Sequence, residues 1–331
     1  MNKIRWGVLS TAKIGREKVI PAIQQSKYGS VIAIASRDLT EAAKYARILD
    51  IPKHYGDYEA ILEDKEVDAV YIPLPNHLHV PWAIKALHAG KHVLCEKPIS
   101  LSVEEAIQLK EASDKMPQVK IMEAFMYRFH PQWKKAKQLV DEGAIGELKT
   151  IHSHFSYYND DPDNIRNIAE IGGGGLMDVG CYCISLGRFI FNSSPEKVIG
   201  TLEYDPQLGI DRIASGILQF HKGTSTFTCA TQLTPYQRVN IIGTAGRIEI
   251  EIPFNAPPDK STRLHLYNAG KPQEIVFESI DQYTLQCDEF CLSIIENKEV
   301  PTPLDDAIQN MKVIEAILKS AKEERWVTLD K

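Results

Sequence analysis

The chain has 331 residues, 44% hydrophobic and 25% charged. That length suits about two domains at roughly 150 residues each and excludes a small disulfide-stapled module, and the composition excludes a disordered chain. Lys and Arg number 38 against 44 Asp and Glu, and the formal charge of −6 excludes a general binder of nucleic acid or membrane surfaces.

From the N-terminus the pattern alternates strand and helix. Ile4–Ser10 is a short apolar run, and a helix follows around Gly15–Ser26, with Pro21 predicting a kink or broken first turn. Val31–Ser36 is a small-apolar run suited to a strand buried on both faces, and Thr40–Leu49 has apolar residues at helical spacing. Asp68–Leu74 reads as the third strand, Val80–Ala89 as a helix stopped by Gly90, and His92–Cys95 as the fourth strand. Ser102 with Glu105 forms a capping box for a helix to about Asp114, and Val119–Ala124 is a further strand. Such alternation predicts a doubly wound parallel sheet over residues 1–124.

The grammar changes over residues 125–331. A helix at Pro131–Glu142 precedes the long alternating run Leu148–Tyr158, a glycine-rich stretch and another helix. Strand-like runs follow at Lys197–Tyr204, Arg212–Phe220, Thr224–Leu233, Arg238–Ile242, Arg247–Ile252 and Leu264–Tyr267, punctuated by glycines. Pro253–Pro258 reads as a loop between two of them. The expectation is an α+β domain with a large, mostly antiparallel open sheet, closed by helices near Thr284–Asn297 and Asp305–Glu323, the last able to pack back on the first domain. No apolar stretch approaches the ~20 residues of a membrane span, and Met1–Gly15 reads as the start of a strand rather than an export signal. The six cysteines form no CxxC pair and read as reduced thiols of a cytoplasmic protein.

The first turn, Ser10-Thr11-Ala12-Lys13-Ile14-Gly15, sits where a dinucleotide fold wants three glycines. Ser10 and Ala12 are the next-smallest residues, so backbone N–H groups can still face a pyrophosphate at a helix N-terminus. The second strand ends in Ser36-Arg37 rather than the acid that binds a ribose 2′-hydroxyl. A hydroxyl and a guanidinium suit a 2′-phosphate, hence NADP, with NAD possible should Asp38 serve instead. At the carboxyl ends of the next strands stand Pro73, Leu74, Asn76 and His79, then Glu96 and Lys97, all expected at the cofactor.

Asn76 to His79, Glu96-Lys97-Pro98, Glu123–Pro131 and Gly172–Tyr182, in that order, resemble the Gfo/Idh/MocA oxidoreductases over essentially the whole chain. That family usually carries an Asp and a His four apart on a helix of the second domain. Here the pair is Asp178 and Tyr182. This departure resembles the branch holding glucose–fructose oxidoreductase, NADP-dependent D-xylose dehydrogenase, dimeric dihydrodiol dehydrogenase and sugar ketoreductases. The resemblance implies a Tyr182 acid/base, a catalytic Lys97, a cis Lys97–Pro98 bond, and a hinge at Glu123–Arg128.

Asp178 and Tyr182, four apart, share one helix face, and Gly172–Gly175 with Gly180 would let a ligand approach it. The expected chemistry has Tyr182 removing a sugar hydroxyl proton while hydride passes to the nicotinamide. Lys97 would favour the phenolate and bond the reacting oxygen or the ribose, and Asp178 would orient the substrate. Arg128 and Arg166 are further substrate candidates. A core aromatic at Tyr182, a surface lysine at Lys97 and a solvated loop charge at Arg166 are the plainer readings. His152 and His154 read as surface residues, and no metal is expected. The partner is a polyhydroxylated small molecule, with a homodimer or homotetramer forming through the C-terminal sheet. The rival classes are a non-catalytic dinucleotide-binding sugar sensor and a cofactor-dependent glycosidase.

Overall fold

The computed structural model describes residues 3–270 and 272–329. Met1 and Asn2, at the head of the stretch read for an export signal, lie outside them, as do Lys271, Asp330 and Lys331. Contacts group the chain into one unit of residues 1–126 with 281–308, and a second of 127–280 with 309–331.

The first unit is a six-stranded parallel sheet. Its elements are β1 (Ile4–Leu9), α1 (Ile20–Gln25), β2 (Gly29–Ala35), α2 (Leu39–Ile48), β3 (Lys53–Tyr55), α3 (Tyr58–Glu63), β4 (Ala69–Ile72), α4 (His79–His88), β5 (His92–Cys95), α5 (Val103–Asp114) and β6 (Ile121–Glu123). The strand order β3-β2-β1-β4-β5-β6 reverses direction at β1 and β4, the point where doubly wound sheets bind ligands. The central strands are buried on both faces, which is why they read as unbroken apolar runs.

The break expected at Pro21 is a π-helical turn, Gly15–Val19, in which Ile20 N–H bonds Gly15 O five residues back. Pro21 then occupies the first positions of α1, where its missing N–H costs little. β3 and α3 carry no signal in the sequence reading. Lys-His-Tyr is a three-residue edge strand with no hydrophobic alternation. Asp57 caps α3 through Ala60 N–H. A Cβ at Gly7 would lie 2.7 Å from Ile61 of α3, so glycine in β1 is what admits that helix.

In the second unit, α6 (Pro131–Asp141) leads to β7 (Leu148–Tyr158), α7 (Cys181–Phe191), β8 (Lys197–Tyr204), β9 (Asp211–Phe220), β10 (Gly223–Ala230), β11 (Gln232–Gly243), β12 (Arg247–Ile250), β13 (Thr262–Tyr267) and β14 (Gln273–Phe277). The remaining elements are α8 (Gln282–Ile295), α9 (Leu304–Glu323) and β15 (Val327–Thr328). Nine strands form one sheet in the order β14-β13-β12-β11-β7-β10-β9-β8-β15, antiparallel except for the β10–β7 pair. The expected strand Thr224–Leu233 is divided: β10 ends at Ala230, and β11 begins at Gln232 and runs through Pro235, which sits at a register shift. By contacts α8 and the first residues of α9, to Ile308, group with the first unit.

One face of the large sheet is packed by α7 against β7, β9 and β10. The run 169–191 that ends in this helix is long and apolar enough to cross a membrane, a length the sequence reading did not credit. It is mostly buried inside the second unit, which accounts for apolar residues all around it. All six cysteines are buried free thiols.

Candidate functional site

The dinucleotide end of the first unit is built from the carboxyl ends of β1, β2, β4 and β5. After β1, Ser10 holds φ 145°, a setting that side chains rarely adopt, and its Oγ accepts the Ala12 N–H at 2.9 Å. Thr11 O accepts from Arg16 Nε at 2.7 Å, and the Arg16 guanidinium stacks on Tyr45, which fixes the turn. The helix starts at Lys13, which is exposed, and continues through half-buried Ile14 to buried Gly15.

At the end of β2, Ser36 Oγ accepts Asp38 N–H at 3.2 Å and Arg37 is exposed. Asp38 is the N-cap of α2, its Oδ1 accepting Thr40 N–H at 2.8 Å, so its carboxylate is occupied by the helix. A residue absent from the sequence reading, Tyr58 of α3, lies near Ser10 and Arg37, and burial raises its phenol pKa against their opposing effect. The donor set of guanidinium, hydroxyls and helix-start amides, with the nearest acid engaged elsewhere, fits a dinucleotide bearing a 2′-phosphate.

Pro73 and Leu74 follow β4 and are buried, and Asn76 opens a short 3₁₀ turn. His79 follows at the start of α4. It is fully buried, with Nε2 and Nδ1 each 2.8 Å from a carbonyl oxygen, of Leu74 and Pro98. Burial lowers its pKa to about 4. Its two ring nitrogens join the β4 loop to the β5 loop.

Glu96 Oε1 accepts from the Tyr71 hydroxyl at 2.7 Å, and Oε2 accepts the Lys97 N–H at 3.3 Å. The Lys97–Pro98 peptide is cis. Below it, buried Glu123 accepts the Ile99 N–H at 2.8 Å, and its own carbonyl accepts from Thr302 Oγ1 at 3.1 Å. Lys97 is half-buried on a loop held from three directions. Tyr283 of α8 lies near Glu96, with burial first and then that carboxylate raising its phenol pKa.

In the second unit the helix bearing Asp178 and Tyr182 is not α-helical at its head. Leu176–Gly180 is a π turn, with Cys181 N–H bonded to Leu176 O, and α7 continues from it. Such turns are frequent at functional sites. The wider turn keeps Asp178 and Tyr182 on one face, since four residues again make nearly a full rotation. Asp178 Oδ1 is 3.1 Å from Arg166 Nε, and Oδ2 accepts from the Tyr157 hydroxyl at 2.6 Å. The Asp178 side chain is 13% exposed and that of Arg166 40%, so the pair has a wet side. Burial and then the Asp178 carboxylate push the Tyr157 pKa far up, which keeps it a donor.

Tyr182 lies one turn on, 6% exposed, in a nest of rings: Phe254 at 5.5 Å, Phe155 at 5.6 Å and Tyr127 at 5.8 Å between centroids. Phe254 comes from the loop read as a mere connection and is fully buried. Arg128 is directed at the same helix a turn later. Its Nη2 donates to Ser185 Oγ at 2.7 Å and the guanidinium lies over Phe189.

The glycines near this helix answer to the protein itself. A Cβ at Gly180 would lie 2.8 Å from Cys229 Sγ, and one at Gly173 2.6 Å from Arg166 O. Room for a ligand, the expected reason for them, is therefore not what requires them. Among the described residues no group of three His, Cys, Asp or Glu side chains is placed to hold a metal.

Residues 4–125 match the model of an oxidoreductase family with an NAD-binding Rossmann fold, and residues 133–249 match the GFO/IDH/MocA C-terminal domain. An uncharacterized oxidoreductase, ORF334, of Rhizobium meliloti is 43% identical over 99% of this chain and 100% of its own. D-xylose 1-dehydrogenase (NADP(+)) 2 of Haloferax volcanii is 37% identical over 98% and 99%. Among solved structures, KijD10, a 3-ketoreductase from Actinomadura kijaniata in complex with NADP and TDP-benzene, superposes with a TM-score of 0.90 at 27% identity, covering 96% of this chain and 98% of that one. A lysine-to-alanine and a tyrosine-to-phenylalanine variant of that ketoreductase have been solved with the same two ligands. With both domains matched in order and relatives aligned end to end, the chain belongs to the Gfo/Idh/MocA family of oxidoreductases.

Proposed function

We propose that this enzyme is NADP-dependent and exchanges hydride with a carbinol or carbonyl carbon of a sugar, a sugar derivative or a related polyol or dihydrodiol. NADP is supported by Ser36, Arg37 and Tyr58 around the end of β2, where the neighbouring Asp38 caps α2. Pro73, Leu74, Asn76, Glu96 and the turn Ser10–Ile14 complete the cofactor set. When bound, the nicotinamide accepts or supplies the hydride.

The rest falls to side chains. In oxidation Tyr182 takes the hydroxyl proton as the C–H electron pair leaves, and a carbonyl remains. In reduction it returns that proton. Lys97 bonds the reacting oxygen or the ribose, and its cation favours the charged phenol. Asp178, held by a guanidinium on one oxygen and a phenol on the other, orients the substrate through one of its hydroxyls. Arg166, paired with Asp178, and Arg128, bonded to Ser185 further along the helix, are the other substrate residues. The observation that carries this reading is the Asp178 clamp one turn ahead of Tyr182. The solved lysine and tyrosine variants of the ketoreductase fall on the two residue types assigned here.

The second unit exposes Ile217 and Tyr236 on its sheet. A second copy covers that face in a homodimer or homotetramer. Six buried thiols suit the reducing cytoplasm.

The test is an absorbance screen for NADPH with purified protein and NADP over aldoses, ketoses, inositols and dihydrodiols. Turnover confined to one class is expected. No turnover despite bound NADP would leave a sensor, and release of sugar from a glycoside without NADPH would make the protein a glycosidase. A monomer mass by light scattering would refute the assembly.

A further inference from the structure

Asp211 opens β9 and is 6% exposed. Its Oδ2 accepts the Leu176 N–H at 2.6 Å, at the head of the π turn that carries Asp178. The residue in the capping position of that turn, Gly175, has no side chain to do this. Asp211 reaches it because Gly174 and Gly175 make a cradle: a Cβ at Gly174 would overlap Asp211 Oδ1, and one at Gly175 would sit 3.4 Å from Oδ2. Gly174 also holds φ 114°, and its carbonyl accepts the Asp178 N–H at 3.0 Å. The carboxylate, the cradle and the Asp178 backbone are therefore one bonded unit.

We infer that Asp211 is a positioning residue: its carboxylate, seated on Gly174 and Gly175, fixes the head of the helix that presents Asp178 and Tyr182. The inference rests on the proton-handling role proposed above for that pair. An acid that caps a helix normally precedes it by a residue or so. Here it arrives from a strand more than thirty residues downstream, so the placement of the pair is set by the sheet. Besides the amides of Leu176, Gly175 and its own residue, the groups facing the carboxylate are the Tyr204 phenol on β8 and the Cys229 thiol on β10. Burial raises the Asp211 pKa to about 7 against those amide bonds. Protonation removes acceptor capacity from the cap, so the bond from the Leu176 amide strengthens as pH rises through 7, while burying the ionised carboxylate costs the fold stability over the same range.

The experiment uses the full chain, with D-xylose and NADP as the turnover probe and hydrogen exchange at the Leu176–Asp178 amides as a readout independent of substrate. Asp211→Ala should speed exchange at those amides and lower kcat by roughly 10- to 100-fold, the scale of a small misplacement. The KM for NADP should stay within about twofold, because the cofactor residues belong to the other unit. Asp211→Asn keeps an oxygen for Leu176 N–H and folds, and should erase a pH limb in kcat and in amide protection near 7. A purely structural role would lower the melting temperature and leave the KM-against-kcat split and the pH limb alone. Wild-type protection with a wild-type pH profile in Asp211→Asn would overturn the inference, whether or not the alanine variant folds or xylose turns over. Tyr182→Phe at full rate would overturn the site reading instead, and it makes no prediction about exchange at Leu176.

Discussion

The two units position their functional groups by different means. In the first, three helices are capped by a residue next to them in sequence: Asp38 for α2, Asp57 for α3 and Ser102 for α5. In the second, the helix that carries Asp178 and Tyr182 is held by Asp211 from β9, by Tyr157 from β7 and by Arg166 from a loop. Local capping makes a site that forms with its own strand. Distant capping makes one that exists only when those strands have paired, and its chemistry then depends also on Asp211, a residue outside the proposed substrate set.

The sharpest way to break that comparison is at the chemical residues. Tyr182→Phe and Lys97→Met should each reduce kcat by roughly 10²- to 10⁴-fold, the range for loss of a positioned acid/base, while NADP still binds by fluorescence titration. A full rate in Tyr182→Phe would return Tyr182 to the aromatic core that surrounds it. Next comes Phe254→Ala. Emptying the middle of the nest should cost about 3–5 kcal/mol in urea unfolding, and it should lower kcat because the Tyr182 ring loses its wall. A stability loss without a rate loss would show that the nest serves packing alone. In the first unit, Arg37→Asp should lower the NADP-over-NAD preference in kcat/KM by roughly 10- to 100-fold, as expected for one charge-assisted contact. An unchanged ratio would remove Arg37 from the phosphate site.

The same contrast explains what could be read in advance. The Ser102 cap, the His92–Cys95 strand and the break at Pro21 are written within a few neighbouring residues, where spacing and turn chemistry are informative. Lys97, Glu96 and Arg37 followed from their place at strand ends. Tyr58 escaped because α3 and β3 are short and half-polar, with no periodicity to mark them. Phe254 escaped because it lies in a proline-rich loop, where burial depends on tertiary packing. His79 was visible as a polar residue beside the cofactor loops, but only the paired carbonyls of Leu74 and Pro98 show that its ring is committed inward. Asp211 had no local signal at all: its partners lie more than thirty residues upstream, where Gly174 and Gly175 leave room for this carboxylate.

The smallest effects concern stability against pH, and here the two units carry acids of opposite sign. Asp64 in the first unit is pushed up by burial, but Lys53 Nζ at 2.8 Å, the Glu66 amide and the Tyr55 hydroxyl outweigh that and hold its pKa to about 2. The folded carboxyl then releases its proton more readily than the unfolded one at 3.8, so its stabilising contribution is complete above about pH 4 and is lost as pH falls toward 2. Asp211 is the reverse. With its pKa near 7, the folded state holds the proton more tightly, and the contribution present below about pH 4 is lost as pH rises through 7. Urea midpoints should therefore show wild type leading Asp64→Asn at neutral pH, by a margin that shrinks below pH 4. Against Asp211→Asn, wild type should lose ground steadily between pH 4 and 7 and no further above it. Parallel pH curves for wild type and Asp211→Asn would mean that the carboxylate is already ionised at pH 5. Its grip on the helix would then be constant through the physiological range, and the distant cap would hold the site as steadily as the local ones hold theirs.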